Sequence, residues 1–366
     1  MKKKTNPLFI VLKVILILIL VIVIIAAIYL AYVLIDYHRI EDNQILTPSG
    51  TAQTEVLDVS SGKTYHLTDW NIGFAAYTDQ FSFFMDGGIY SRAFSEEATI
   101  DTMNSIIDEL KKQDSDFYLI QEVDFGSTRS YQVDEQAMIE DSFSSGFAAT
   151  FGVNYDSAYL FYPFTSPIGA SKSGLLTMSS CGISESVRRS FPIQTGFAKF
   201  LDLDRCFTVN RIPTSNGHDL VLINLHASAY TTDDTIVKQQ MEMLLETIEQ
   251  EYDKGNYVIA GGDFNMDLLG DSTSIFGVSG DDYSWGQPFP VEMLPDTVSL
   301  IAPFDPADPI PSCRNADSPW DPETNFQITI DGFLITDNIE AVSCEVTDLQ
   351  FAYSDHEPVQ FRFRFK

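Results

Sequence analysis

The sequence predicts an α/β fold in which two β-sheets pack face to face with helices on their outer sides. Three observations point there. Short apolar runs of strand length recur from Tyr65 to the C-terminus, only two segments repeat with a helical period, and the strand-like runs end repeatedly in polar residues. Many strands and few helices need two sheets to bury one another, and polar residues at strand ends then gather at one edge of the sandwich.

The chain opens on a different kind of segment. Leu8 to Val33 is apolar except for Lys13, longer than the ~20 residues that cross a bilayer. The sequence therefore divides into a cytoplasmic N-terminus (1–7), a transmembrane anchor (8–35), a linker or irregular lead-in (36–64) and a large domain (65–366). A cleaved signal peptide is the alternative, since Ala26, Ala27 and Ala31 are small; the apolar core of a signal peptide would be only about 7–15 residues. Lys2, Lys3 and Lys4 precede the span and only Asp36 and Arg39 follow it closely, which places the N-terminus inside and the bulk of the chain outside a cell membrane crossed once.

The lead-in is polar, with Pro48-Ser49-Gly50 and Ser60-Ser61-Gly62 marking turns. In Glu96 to Lys112, Ile100, Met103, Ile106, Ile107 and Leu110 share a helix face. In Asp233 to Lys254, Ile236, Val237, Met241, Leu244, Leu245 and Ile248 do the same, and Gly255 ends the helix. Each helix feeds a strand, Phe117 to Glu122 and Tyr257 to Asp263. Further strands are expected at His66 to Ile72, Gly174 to Ser179, Phe197 to Leu203, Phe207 to Arg211, Asp219 to His226, Gln327 to Ile335 and Val359 to Phe365.

Composition limits the partners. Of 366 residues 45% are hydrophobic, as in a globular protein, and the formal charge is -30. Residues 1–40 hold five basic groups and one acidic group, so the outer part carries 17 basic against 51 acidic residues, a charge of -34. Such a surface disfavours nucleic acid and other polyanions but leaves room for a small phosphoester in a locally neutral cleft. No protein partner is inferable. Cys181, Cys206, Cys313 and Cys344 are spaced too widely for a zinc ribbon; disulfides and free thiols both remain open.

The chemistry lies in the polar clusters. Glu122 follows the buried run Phe117 to Ile120, and one rigidly held carboxylate suits Mg2+, which keeps waters and phosphate oxygens as its other ligands. In Gly261-Gly262-Asp263-Phe264-Asn265 the glycines let backbone approach a ligand, while Asp263 and Asn265, two apart, can face one side. His226 and His356 both end strands, and Asp331 is the carboxylate best placed to orient His356, because the adjacent Asp355 cannot reach its own neighbour on an extended chain. Taken singly, these residues also read as a surface Glu, a Gly-Asx turn and core histidines.

Their order carries more than any one of them. Trp70-Asn71, Leu119-Ile120-Gln121-Glu122, Asn224-Leu225-His226, Gly262-Asp263-Phe264-Asn265, Asp331 and Ser354-Asp355-His356 together resemble the endonuclease/exonuclease/phosphatase family, over about Tyr65 to Lys366. The resemblance implies a DNase I-like, four-layer αββα sandwich and an Mg2+-dependent phosphoester hydrolase, with Mn2+ as a substitute. It implies Asn71 and Glu122 in the metal environment with Asp355 nearby, Asp263 activating water, Asn265 contacting phosphate or transition state, His226 contacting phosphate as in the DNase and sphingomyelinase branches, and His356 as the second imidazole held by Asp331. The chain departs from DNA-cleaving members after its Glu, where Val123-Asp124-Phe125 stands and Arg129 is the first basic residue. The expected substrate is therefore a small or lipid-linked phosphoester, with an extracellular nuclease and a non-catalytic surface module as the alternatives. The aromatic segment Phe74 to Tyr90 reads as core under a long loop or as an apolar wall for a lipid-like group.

Overall fold

The computed structural model describes residues 7–60, 62–193, 204–229, 234–278 and 286–366. Two units are present, Met1–Arg39 and Ile40–Lys366. The first contains a 30-residue helix, Pro7–Asp36, with no buried side chain and an 18-residue stretch of mean hydropathy 3.7; at 1.5 Å per residue it is about 45 Å long, enough to cross a bilayer.

In the second unit, among the described residues, seven strands form one sheet in the order Gln44–Ile45, Glu185–Ser190, Cys206–Pro213, Asp219–His226, Tyr257–Asp263, Asp331–Thr336, Val298–Ile301. Eight form the other, in the order Ile339–Val346, Val359–Phe365, Tyr65–Asn71, Phe117–Asp124, Lys172–Ser179, Ala148–Asp156, Ser49–Ala52, Ser145–Gly146. Leu67, Phe117, Leu119, Phe361 and Phe363 of the second sheet pack against Leu222, Ile259, Phe333 and Ile335 of the first. Helix Asp234–Tyr252 lays Met241, Leu244, Leu245 and Ile248 on the outer face of the first sheet. Helix Glu96–Gln113, capped by the Ser95 hydroxyl accepting from the Ala98 N–H, lays Met103, Ile106, Ile107 and Leu110 on that of the second. The result is the four-layer αββα sandwich.

Several elements escape sequence pattern. The segment read as a linker adds the strands Gln44–Ile45 and Ser49–Ala52 to the two sheets and buries Leu46 and Leu57; pairing at a sheet edge uses backbone, which leaves no periodicity to read. Ala148–Asp156 and Glu185–Ser190 lack apolar runs, Ile339–Val346 is a mostly exposed edge, and helix Glu135–Phe143 is short. The run expected from Gln327 to Ile335 is broken into Gln327–Ile328 and Asp331–Thr336. The strand expected at Phe197 to Leu203 lies outside the described residues. All four cysteines are free thiols.

The sandwich turns polar at one end because side chains alternate along a strand. Tyr65 and Leu67, Leu220 and Leu222, Tyr257 and Ile259, and Phe333 and Ile335 all point into the inter-sheet core. The same parity sends Asp69 and Asn71, Asn224 and His226, Asp263, and Asp331 inward. Register then aligns them: His226 lies opposite Asp263 on the parallel neighbour, and Asp263 opposite Asp331 on the antiparallel one. Gly262, at φ +138°, holds this crossing, since a Cβ there would sit 2.1 Å from the Leu225 carbonyl oxygen. Gly262→Ala should cost about 2–4 kcal/mol by urea unfolding, from left-handed strain plus a clash with backbone that cannot yield; a loss under about 1 kcal/mol would show that the strands can shift.

Candidate active site

At the polar end lies a cavity of about 360 Å3 whose lining includes Glu122, His226, Asp263, Asn265, Asp355 and His356. His356 Nδ1 lies 3.0 and 2.9 Å from the two carboxylate oxygens of Asp331. That carboxylate also accepts from the Ser312 hydroxyl at 2.7 Å, and Ser312 Oγ in turn accepts the Ile330 and Asp331 N–H groups. The imidazole is thus held with Nε2 toward the cavity, 3.8 Å from Asp263 Oδ2 and 3.5 Å from Cys313 Sγ. The Trp70 indole N–H donates to the His356 carbonyl at 2.9 Å, tying this loop to the strand next to the one it enters.

Asp263 is the centre of the array. Its Oδ1 accepts the Asn265 N–H at 2.8 Å; its Oδ2 accepts from Asn71 Nδ2 at 3.1 Å and lies 3.3 Å from His226 Nε2. Asn265 itself sits at φ +52° and donates through Nδ2 to the Ala227 carbonyl, leaving its carbonyl oxygen uncommitted to these bonds. Asn71 does not line the cavity. Its amide lies beneath, with Nδ2 reaching Asp263 and, at 3.4 Å, Glu122, while its oxygen accepts the Gly73 N–H. It joins the two ends of the site, and its oxygen already accepts one hydrogen bond.

Glu122 reaches the cavity by an irregularity. Tyr118 and Ile120 face the outer helix, and simple alternation would send Glu122 with them. A register shift between Ile120 and Val123, with Glu122 at φ +53°, re-aims the carboxylate into the cleft. Near it is Asp355, whose carboxyl is pushed up to about 7, by burial first and then also by the charges of Glu122 and Asp86, against the pull of His356 and Arg314. Two carboxylates that repel one another at a cleft wall are the oxygen donors a divalent cation relieves, so Glu122 and Asp355 fit a metal ion. Asp263, Asp331 and His356 also bring donor atoms within 4.8 Å of one another. There the His356–Asp331 bond occupies both partners, and the geometry is that of an acid–base array.

Burial and charge spread the proton affinities. Asp263 is raised to about 6, by burial and then Asp331, with His356 and Arg205 opposing. Burial alone would neutralise His356, but Asp331 outweighs it and the imidazolium is held well above its ordinary range. His226 is driven well below that range by burial and by Arg205 and His356; its Nδ1 has no hydrogen-bond partner among the described residues. One imidazole is therefore charged and the other neutral, on either side of a carboxylate near neutrality.

Other residues at the site carry no sequence motif. Arg129 lines the cleft, pairs with Asp124 through two bonds of 2.9 and 2.8 Å, lies 3.8 Å from the centre of the Phe74 ring and stands 3.9 Å from Glu122. Asp124, a charge inside a strand, was the signal that could have located it. Arg205, Asn154, Tyr155 and Cys313 also line the cavity. Behind them, Gln121 Nε2 bridges Asp69 at 2.7 Å and Asn224 at 2.9 Å across the two sheets. Of the aromatic segment, Phe74, Tyr77, Phe81 and Phe83 form a small core with Ile168 and Ala316, as expected of core under a long loop, and Tyr77, Phe83 and Met85 also wall the cavity.

The charged His356 has a measurable consequence. A folded-state value raised above about 6.5 adds stability that is complete below pH 6.5 and is lost as pH rises through the raised value. Asp331→Asn removes the foremost influence opposing burial, so the His356 midpoint in an NMR titration should fall; an unchanged midpoint would show that Asp331 is not the cause.

Comparison with known proteins agrees with this architecture. The model of the endonuclease/exonuclease/phosphatase family matches residues 70–356. No curated protein matches the chain in sequence. Among solved structures, an endonuclease/exonuclease/phosphatase from Beutenbergia cavernae is 17% identical with a TM-score of 0.54, over 83% of this chain and 72% of that one. ANGEL2, a 2',3'-cyclic phosphatase bound to adenosine-2',3'-vanadate, is 14% identical with a TM-score of 0.55, over 87% and 98%. The human nocturnin catalytic domain with bound sulfate is 15% identical with a TM-score of 0.50, over 88% and 98%. At these identities the solved structures speak for the fold, and the family model speaks for the chemistry. With its ordered motifs on a four-layer sandwich, the chain belongs to the endonuclease/exonuclease/phosphatase family and is a metal-dependent phosphoester hydrolase.

Proposed function

We propose that this enzyme hydrolyses a small or lipid-linked phosphoester outside the membrane, by in-line attack of water on phosphorus. The observation that supports it best is the convergence on Asp263 of a neutral and a charged imidazole, with two carboxylates at the other end of the cleft. Asp263, with an affinity near 6, is mostly ionised at pH 7 and still basic enough to take a proton from attacking water. His356, held charged by Asp331, stabilises the negative charge that grows on the non-bridging oxygens, and His226 with Asn265 orients the phosphoryl group. Water forms the new P–O bond as the ester P–O bond breaks; the leaving oxygen takes a proton from the site. A divalent cation, Mg2+ in this reading, would be held by Glu122 and Asp355 and supply Lewis-acid neutralisation of the phosphate. Asn71 positions Glu122 and Asp263 from beneath. The acidic surface, formal charge -30 for the whole chain, disfavours long polyanions. The apolar helix Pro7–Asp36 serves as an uncleaved anchor with residues 65–366 outside.

Full-length protein in detergent should turn over an aryl phosphodiester, sphingomyelin or a phosphoinositide with Mg2+ and not with EDTA. Asp263→Asn and His356→Ala should each lower kcat/KM by about 10^3 or more, near 4 kcal/mol, with Tm shifted by only a few degrees. Full activity in both would overturn the assignment, and efficient cleavage of plasmid DNA with a steep salt dependence would make the enzyme a nuclease. Glu122→Gln should raise the Mg2+ concentration for half-maximal activity about tenfold or more, with partial recovery at saturation; an unchanged metal requirement would move the cation elsewhere.

A further inference from the structure

A surface patch beside the cleft has a composition unlike the rest of the chain. Residues 157–171 contain no charged side chain in a protein with 52 acidic residues. The loop they form exposes Phe161, Tyr162 and Phe164, the last at 84%. A second loop, from Phe81 to Phe94, exposes Met85, Ile89 and Phe94.

The two loops are one surface. The Phe84 and Tyr162 rings lie 5.7 Å apart, Tyr162 and Phe164 5.9 Å, and Tyr90 and Phe94 4.9 Å; the Ser91 hydroxyl reaches Ser166, and Arg92 donates to the Pro167 carbonyl. The patch runs into the cavity through Met85, Phe83 and Ile168, which line it. A contiguous apolar area of this kind on a soluble face marks an interaction site.

We propose that this patch docks on a zwitterionic phospholipid bilayer and presents the cleft to headgroup phosphoesters. Tyr and Phe suit the interfacial zone of a bilayer, where an aromatic body and a polar tip are both accommodated. A charge-free loop meets such a surface without repulsion, whereas the acidic remainder disfavours anionic lipids and polyanions. Only seven residues, 37–43, lie between the end of helix Pro7–Asp36 and the strand Gln44–Ile45. Of these, Ile40, Glu41 and Asp42 are hydrogen-bonded to Arg188 and Ser190, so the free tether is shorter than the about 25 Å that seven extended residues reach, and an anchored helix keeps the bilayer at high effective concentration. The proposal deepens the function proposed above and rests on it for the substrate, but the docking itself is measured without turnover.

Full-length protein, reconstituted in phosphatidylcholine vesicles with brominated acyl chains, gives the direct readout. Tyr162→Trp should add fluorescence that the bromolipid quenches, and Glu340→Trp, on the exposed edge strand at the end of the sheet away from the site, should add fluorescence that it does not. Equal quenching at both positions, or none at 162, overturns docking; loss of a dimer on Phe161→Ser/Tyr162→Ser/Phe164→Ser without quenching at 162 would assign the patch to self-association instead. The same triple variant should lose about tenfold or more of its turnover of vesicle phospholipid and keep that of a soluble aryl phosphodiester. Quenching at 162 with no hydrolysis of any phospholipid would leave docking standing and remove the headgroup substrate.

Discussion

The structure depends on the two-residue repeat of the β-strand. Each central strand carries apolar residues on its inner face over most of its length, and several carry polar ones on that same face where they reach one common end of the sandwich, so the inter-sheet layer is hydrophobic over most of its length and ionisable at one end. A slip of one residue in any of these strands would turn its polar end outward and expose its apolar body. Core packing and site assembly are therefore set by one register. Leu222 and His226, or Ile259 and Asp263, are placed by the same backbone.

Crowding acids and imidazoles at that end gives each a different proton affinity. Burial raises Asp69, Asp263 and Asp355, and neighbours decide how far. Asp263 comes to about 6 and Asp355 to about 7; Asp69, fully buried with no partner for Oδ2 among the described residues, is raised well above its ordinary value by burial and by Asp331. The two histidines diverge because only His356 has a carboxylate on Nδ1. Groups of one kind given opposed affinities by position are the arrangement that acid–base chemistry at neutral pH needs.

Away from that end the chain is strongly acidic, and its few cations are engaged. Arg211 is bound by Glu251, Arg188 by backbone carbonyls and Arg129 by Asp124. Of these only Arg129 lines the cleft. Arg205 and Arg314 line it as well, and the apolar rim at its mouth is a further departure from the acidic surface.

The sequence by itself determined the sandwich, its two main helices, most central strands and the polar residues that end them, because periodicity and strand-end position are local properties written in consecutive residues. It also marked the apolar N-terminal helix and linked Asp331 with His356 across 25 positions. Tertiary structure decided what depends on neighbours from elsewhere in the chain: the edge strands Gln44–Ile45 and Ser49–Ala52, which pair through backbone; the bulge that turns Glu122 into the cleft; the use of both Asn71 amide atoms within the protein; Arg129 on Phe74; and the meeting of residues 81–94 with 157–171 at the rim. Local patterns are encoded by spacing along one strand or helix. Cross-strand register, strained backbone and paired charge arise only when separate segments close-pack, and no spacing in the chain records them.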